Sequence, residues 1–138
     1  MLEKEVVQHR GFRNVEKDGE IIGFQVAIRQ LGYRGAWLSQ IRFDSVIVDG
    51  VEYREDVVTW TISGIEYTVE EMKTLGRVMW PLNETAILTV KKPGGLEQGE
   101  HEVQVITGHI ASYIPPRMDT MYIEMAKRRP NTRKLIIV

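Results

Sequence analysis

The chain has 138 residues, no cysteine and a formal net charge of −1, with 43% hydrophobic and 27% charged residues. That length fits a single domain, 1–138, able to bury about two-thirds of its unfolded surface. Near-neutrality removes the electrostatic footprint that nucleic acid or an anionic membrane surface would need. The lack of cysteine excludes disulfides and thiolate chemistry and fits a reducing compartment. No apolar run approaches the ~20 residues of a membrane span, and Met1-Leu2-Glu3-Lys4-Glu5 alternates charge where a signal peptide would have an apolar core. A soluble cytoplasmic protein with neither nucleic acid nor membrane as partner is expected.

In chain order, a short strand over 12–15 runs into the turn Glu16-Lys17-Asp18-Gly19, where glycine supplies positive φ without steric cost. Ile22, Phe24, Val26 and Ile28 then alternate with Gly23, Gln25, Ala27 and Arg29, the period of a half-buried strand. Residues 30–39 break that pattern and read as a loop carrying Tyr33, Arg34 and Trp37. A strand over 41–48 ends at Asp49-Gly50, the strongest short hairpin signal in the chain, with 51–53 as the return. A further strand over 57–62 closes at Ser63-Gly64, with 65–67 pairing back.

Thr68-Val69-Glu70-Glu71 has the form of a capping box, so one short helix is expected, with Met72 and Leu75 on one face and Gly76 as its stop. Residues 77–83 read as a connecting loop. Then Ala86, Leu88 and Val90 alternate toward Pro93-Gly94-Gly95, and His101, Val103 and Val105 alternate beyond it. This strand–turn–strand pattern predicts a hairpin. The second strand is expected to run on to Tyr113 and stop before Pro115-Pro116. Residues 119–129 suit a helix or an extended loop equally, and 132–138 close the chain as a strand. The sum is an all-β fold, an antiparallel β-sandwich of about eight short strands with one short helix.

The polar residues do not assemble a catalytic set by spacing. His101 and His109 lie on one expected strand about 26 Å apart at ~3.3 Å per residue, so they cannot share a metal, and with His9 they read as strand or turn supports. Glu70 and Glu71 suit the first turn of a helix rather than an acid/base pair. The serines lack a nucleophile elbow, and the glycines lack a phosphate-loop context. Lys127-Arg128-Arg129 with Arg133-Lys134 reads as a solvated or partner-facing edge, or an anion site. Large aromatics beside glycine and proline are the more suggestive feature. Tyr33, Trp37, Trp80 and Tyr113 can anchor an interface or cap the open ends of a core.

Several segments recur in order: 33–39 (Tyr-Arg-Gly-Ala-Trp-Leu-Ser), Val48-Asp49-Gly50-Val51, Leu88-Thr89-Val90 with Lys92-Pro93-Gly94-Gly95-Leu96 and Gly99-Glu100-His101, then Tyr113-Ile114-Pro115-Pro116 and Arg129 with Thr132-Arg133-Lys134-Leu135. Together they resemble the small (beta) subunit of bacterial C-glycoside deglycosidases across nearly the whole chain. The resemblance implies a β-sandwich partnered with a larger TIM-barrel alpha subunit, which would carry the divalent metal, Mn²⁺ by expectation. It implies that the complex acts as a lyase on a 3-oxo-C-glycoside, cleaving the C–C bond to a flavonoid-type aglycone. A C-glycosidic bond has no leaving oxygen to protonate, so the two-carboxylate glycosidase scheme does not serve. A ketone at C3 acidifies the C2 proton, and enolate formation then permits elimination. No catalytic, cofactor or metal residue is assigned to this chain. Tyr33, Arg34, Trp37, Tyr113, Pro115 and Pro116 are the expected partner interface. A stand-alone carbohydrate-binding or immunoglobulin-like module is the alternative, and an independent small enzyme a weaker one.

Overall fold

A computed structural model describes residues 2–3, 5–30, 35–109 and 131–138. Two antiparallel sheets face each other. The first comprises β1 (Arg13–Lys17), β2 (Glu20–Ile28), β6 (Val58–Ile62), β7 (Ile65–Thr68) and β9 (Ala86–Lys91), in the order β1-β2-β9-β6-β7. The second comprises β4 (Ile41–Val48), β5 (Val51–Tyr53), β10 (Gly99–His109) and β11 (Asn131–Ile137), in the order β11-β10-β4-β5. A separate two-stranded ribbon pairs β3 (Ala36–Trp37) with β8 (Met79–Trp80). The described strands thus number eleven, more than the eight expected, because several run only two to four residues.

Three tight hairpins follow directly from the turn chemistry. Asp18-Gly19, Asp49-Gly50 and Ser63-Gly64 all have positive φ at both residues. They join strands whose flanking residues pair directly, Lys17 with Glu20, Val48 with Val51 and Ile62 with Ile65. Positive φ at both central positions defines the type I′ turn, whose twist matches that of the strands it connects.

The interior lies between the two sheets. Phe24, Val26 and Ile28 of β2, Leu88 and Val90 of β9, and Val58, Trp60 and Ile62 of β6 face Val46 and Val48 of β4, Val103 and Val105 of β10, and Leu135 and Ile137 of β11. Two edge-on aromatic pairs cross from sheet to sheet, Phe24 on Tyr53 at 5.3 Å and Phe43 on Trp60 at 5.8 Å between ring centroids. That geometry sets the positive edge of one ring on the negative face of the other. In β2, β9 and β10 the alternation read from the sequence is the alternation that fills this core.

The Pro93-Gly94-Gly95 segment is not a hairpin. β9 pairs with β2 and β6 in the first sheet, whereas β10 pairs with β4 and β11 in the second. Residues 92–98 therefore cross from one sheet to the other. The Gly95 N–H donates to the Lys92 carbonyl at 2.8 Å with Gly94 at φ +87°, a turn with proline and glycine where a type II turn wants them. Lys92 and Gly94 N–H groups donate to the carbonyls of Ile22 and Ile21. Asn14 then holds Leu96 from both sides, its Nδ2 donating to the Leu96 carbonyl at 2.9 Å and its Oδ1 accepting the Leu96 N–H at 2.8 Å.

The expected helix forms as a single turn, α1 (Val69–Met72), with the capping box in place. Thr68 Oγ1 accepts the Glu71 N–H at 3.1 Å, and Glu71 Oε1 accepts the Thr68 N–H at 3.0 Å. Val69 and Met72 are buried and Leu75 packs on the core. The N-terminal segment, which the alternation did not flag, lays Val6 and Val7 into the core and bridges Val7 to Ile28. Arg133 of β11 secures it, with both guanidinium nitrogens on the Glu3 carboxylate at 2.9 Å and one also on the Val7 carbonyl. Among the described residues no helix is long and apolar enough to cross a membrane.

Candidate functional site

Of the expected interface residues, Trp37 is described, while Tyr33, Arg34, Tyr113, Pro115 and Pro116 lie outside the described residues. So do residues 119–129 and the basic run Lys127-Arg128-Arg129. Trp37 sits not in a loop but on the β3–β8 ribbon, directly opposite Met79. Both side chains point outward, 37% and 40% exposed, while their neighbours Ala36 and Trp80 point into the protein. Alternation over two residues therefore divides the ribbon into an inner anchor and an outer apolar pair.

The anchor is extensive. The Trp80 ring packs edge-on against Trp60 at 5.7 Å, and its Nε1–H donates to the Glu84 carbonyl at 2.7 Å. Trp80 therefore caps one end of the core, the second of the two roles open to it in the sequence. The buried Gln30 donates from Nε2 to the Trp80 carbonyl at 2.6 Å. On the other strand, Leu38 N–H donates to the Val78 carbonyl and Ser39 N–H to the Leu75 carbonyl. Gln40 Oε1 accepts the Trp37 N–H at 3.0 Å at the start of the 3₁₀ turn Leu38–Gln40. Gly35 completes the fit. A Cβ there would stand 2.7 Å from Met79 Sδ and 2.9 Å from the Trp80 carbonyl oxygen. The exposed pair thus rides on a backbone held at both ends, which limits the ordering cost of a contact made through it.

The remaining polar groups support the scaffold. His101 bonds to the Asp49 carboxylate and the Glu97 carbonyl, a turn support as expected. Glu84 grips the Ser63-Gly64 turn through the Ser63 N–H and hydroxyl. Glu70 pairs with Lys73 at 3.0 Å. Arg133, read in the sequence as part of a basic edge, is engaged by Glu3. Hydrogen bonds from the His9 backbone and from Arg133 hold the Glu3 carboxyl below its ordinary range. Among the described residues, no three His, Asp or Glu side chains converge as a metal site would require. A cleft of about 500 Å³ lies beside the N-terminal segment, bounded by Leu2, Glu3, Gln8, Arg10, Thr85 and Ile87. Its carboxylate, Glu3, is engaged by Arg133.

A scaffold of paired antiparallel sheets that presents an anchored apolar ribbon has the form of a binding or subunit module. The comparisons give the family. Residues 2–113 match the C-glycoside deglycosidase beta subunit family. A protein of Eubacterium cellulosolvens named C-glycoside deglycosidase beta subunit is 40% identical over 147 aligned positions, covering 99% of this chain and all of that protein. One of the same name from Arthrobacter globiformis is 27% identical, covering 90% of this chain and 91% of that protein. The chain belongs to the C-glycoside deglycosidase beta subunit family.

Proposed function

We propose that this chain is the accessory subunit of a C-glycoside deglycosidase, and that it stabilises and assembles a larger catalytic alpha subunit. Family membership supports the subunit role. The observation that carries the docking reading is the outward Trp37–Met79 pair on a ribbon whose inner residues are locked into the core. Tryptophan supplies a large apolar contact with few rotors to freeze, and methionine adapts its shape to what it meets.

In this reading the partner is a TIM barrel that holds the divalent metal and the base. The substrate is a 3-oxo-C-glycoside, and the reaction is a C–C bond cleavage releasing a flavonoid-type aglycone. The sandwich contributes position rather than protons, which accords with side chains spent on turns and caps. The interface would continue from Trp37 into the adjoining Tyr33 and Arg34, and include Tyr113, Pro115 and Pro116. The assembly is expected to work in the cytoplasm.

The test is co-expression of tagged alpha subunit with this chain carrying Trp37→Ala. Removal of an interface tryptophan at a hot spot costs about 2 kcal/mol or more, roughly 30-fold in affinity. The variant should be recovered with the alpha subunit in clearly lower yield while remaining folded by circular dichroism. Recovery equal to wild type would remove the ribbon from the interface.

A further inference from the structure

His101 starts the inward alternation of β10, but at the end of the sandwich, where Phe12 meets its ring edge-on at 6.2 Å. Its side chain is 11% exposed. Nδ1 lies 2.6 Å from Asp49 Oδ2, in the β4–β5 turn, and Nε2 lies 2.7 Å from the Glu97 carbonyl oxygen, in the crossover between the sheets. Both neighbours accept hydrogen bonds and neither can donate. A neutral imidazole has one N–H and would set a lone pair against one of them. Only the doubly protonated ring satisfies both at once.

We infer that this corner is a pH-sensitive clasp, in which His101 stands as an imidazolium gripping the crossover and the β4–β5 turn together, and gives up one of those two bonds when it loses its proton. The charged surroundings agree. Asp49 Oδ1 also accepts the Glu102 N–H at 2.9 Å, so its carboxylate is fixed toward the ring. The charged groups that bear on the ring are the carboxylates of Asp49 and Glu97, both negative. Tyr53 of β5, near Asp49, has its phenol pushed up by burial and then by that charge, and stays neutral. Phe12 brings no charge.

Burial opposes protonation of His101, but the Glu97 carbonyl and the Asp49 carboxylate outweigh it, and the ring's pKa lies above its ordinary value. Asp49 is held below its ordinary range by the His101 hydrogen bond and then by the Glu102 N–H. The signs give the window. A raised histidine contributes stability in full below about pH 6.5 and loses it as pH climbs through the folded-state value. A depressed aspartate contributes above about pH 4 and loses it only in acid. Between those limits the clasp is closed.

The test is NMR titration of the His101 ring in the full chain, with unfolding midpoints from about pH 5.5 to 9. The ring should titrate above 6.5 with both N–H groups present below its titration point, and the midpoint should fall toward alkaline pH. His101→Gln, which has no titrating proton and fills one of the two bonds, should flatten that slope. Asp49→Asn keeps an oxygen for the Glu102 N–H and tolerates positive φ. It should bring the His101 titration down, and this reading stands even if His101→Gln fails to fold. A ring that titrates at or below 6.5, or an Asp49→Asn variant with an unmoved titration, would overturn the clasp.

Discussion

A methyl group on Gly23 would sit 1.9 Å from the Val90 carbonyl oxygen, closer than any real Cβ contact. That position pairs β2 with β9 at the centre of the first sheet, Gly23 opposite Lys91. The backbone there has no flexible side-chain end that could swing away. Gly23→Ala should therefore strain the β2–β9 ladder and cost ~1–3 kcal/mol or more, read as a lower midpoint in urea. Gly19 is the control. It takes φ +82° in an open turn with nothing within 4 Å of a Cβ, so alanine there meets only backbone strain of about 1–2 kcal/mol. If the Gly23 variant were no less stable than the Gly19 variant, the close approach of β9 to β2 would be wrong. Trp37 belongs to this scale too, since one residue of alternation separates it from the buried Ala36 and turns it to solvent.

At the scale of elements, α1 is too short to persist alone and depends on its cap and on Val69 and Met72 in the core. Thr68→Ala removes the acceptor for the Glu71 N–H. It should cost about 1 kcal/mol, measurable by chemical denaturation, with Thr68→Ser recovering most of the loss. An alanine variant as stable as wild type would show the cap to be idle. This helix was legible because a capping box is local chemistry. So were the three I′ hairpins, where Asp-Gly or Ser-Gly has no easier conformation. The Pro93-Gly94-Gly95 segment was misread for a physical reason. Period-two alternation says which side of a strand faces the core, and both sheets of a sandwich give the same answer. The seven residues between Lys91 and Gly99 exceed the usual hairpin loop, and that length was the available signal for a crossover. The β3–β8 ribbon left no periodic trace, since two residues per strand cannot show a period. The same limit hid the pairing of Trp37 with Met79, although the tryptophan itself stood out beside glycine.

At the scale of the molecule, the buried hydrophobic residues described form one core between two sheets, and the described polar residues chiefly tie corners. Asn14 holds the crossover, Arg133 holds the N-terminal segment, Glu84 holds a hairpin and His101 holds two connections at once. Apart from the four-residue contact of His101 with the Glu97 carbonyl, each of these ties spans more than twenty residues of sequence, so none of those was visible as a local motif. Such a frame suits a subunit that must present a fixed surface. In the proposed assembly this surface lies against a catalytic partner. Its most direct test is the native mass of this chain after co-expression with the proposed alpha subunit, by size-exclusion chromatography with light scattering. A single species heavier than either protein, containing both, is expected. Elution of this chain at its own 15.9 kDa, with the alpha subunit running separately, would contradict the proposed assembly.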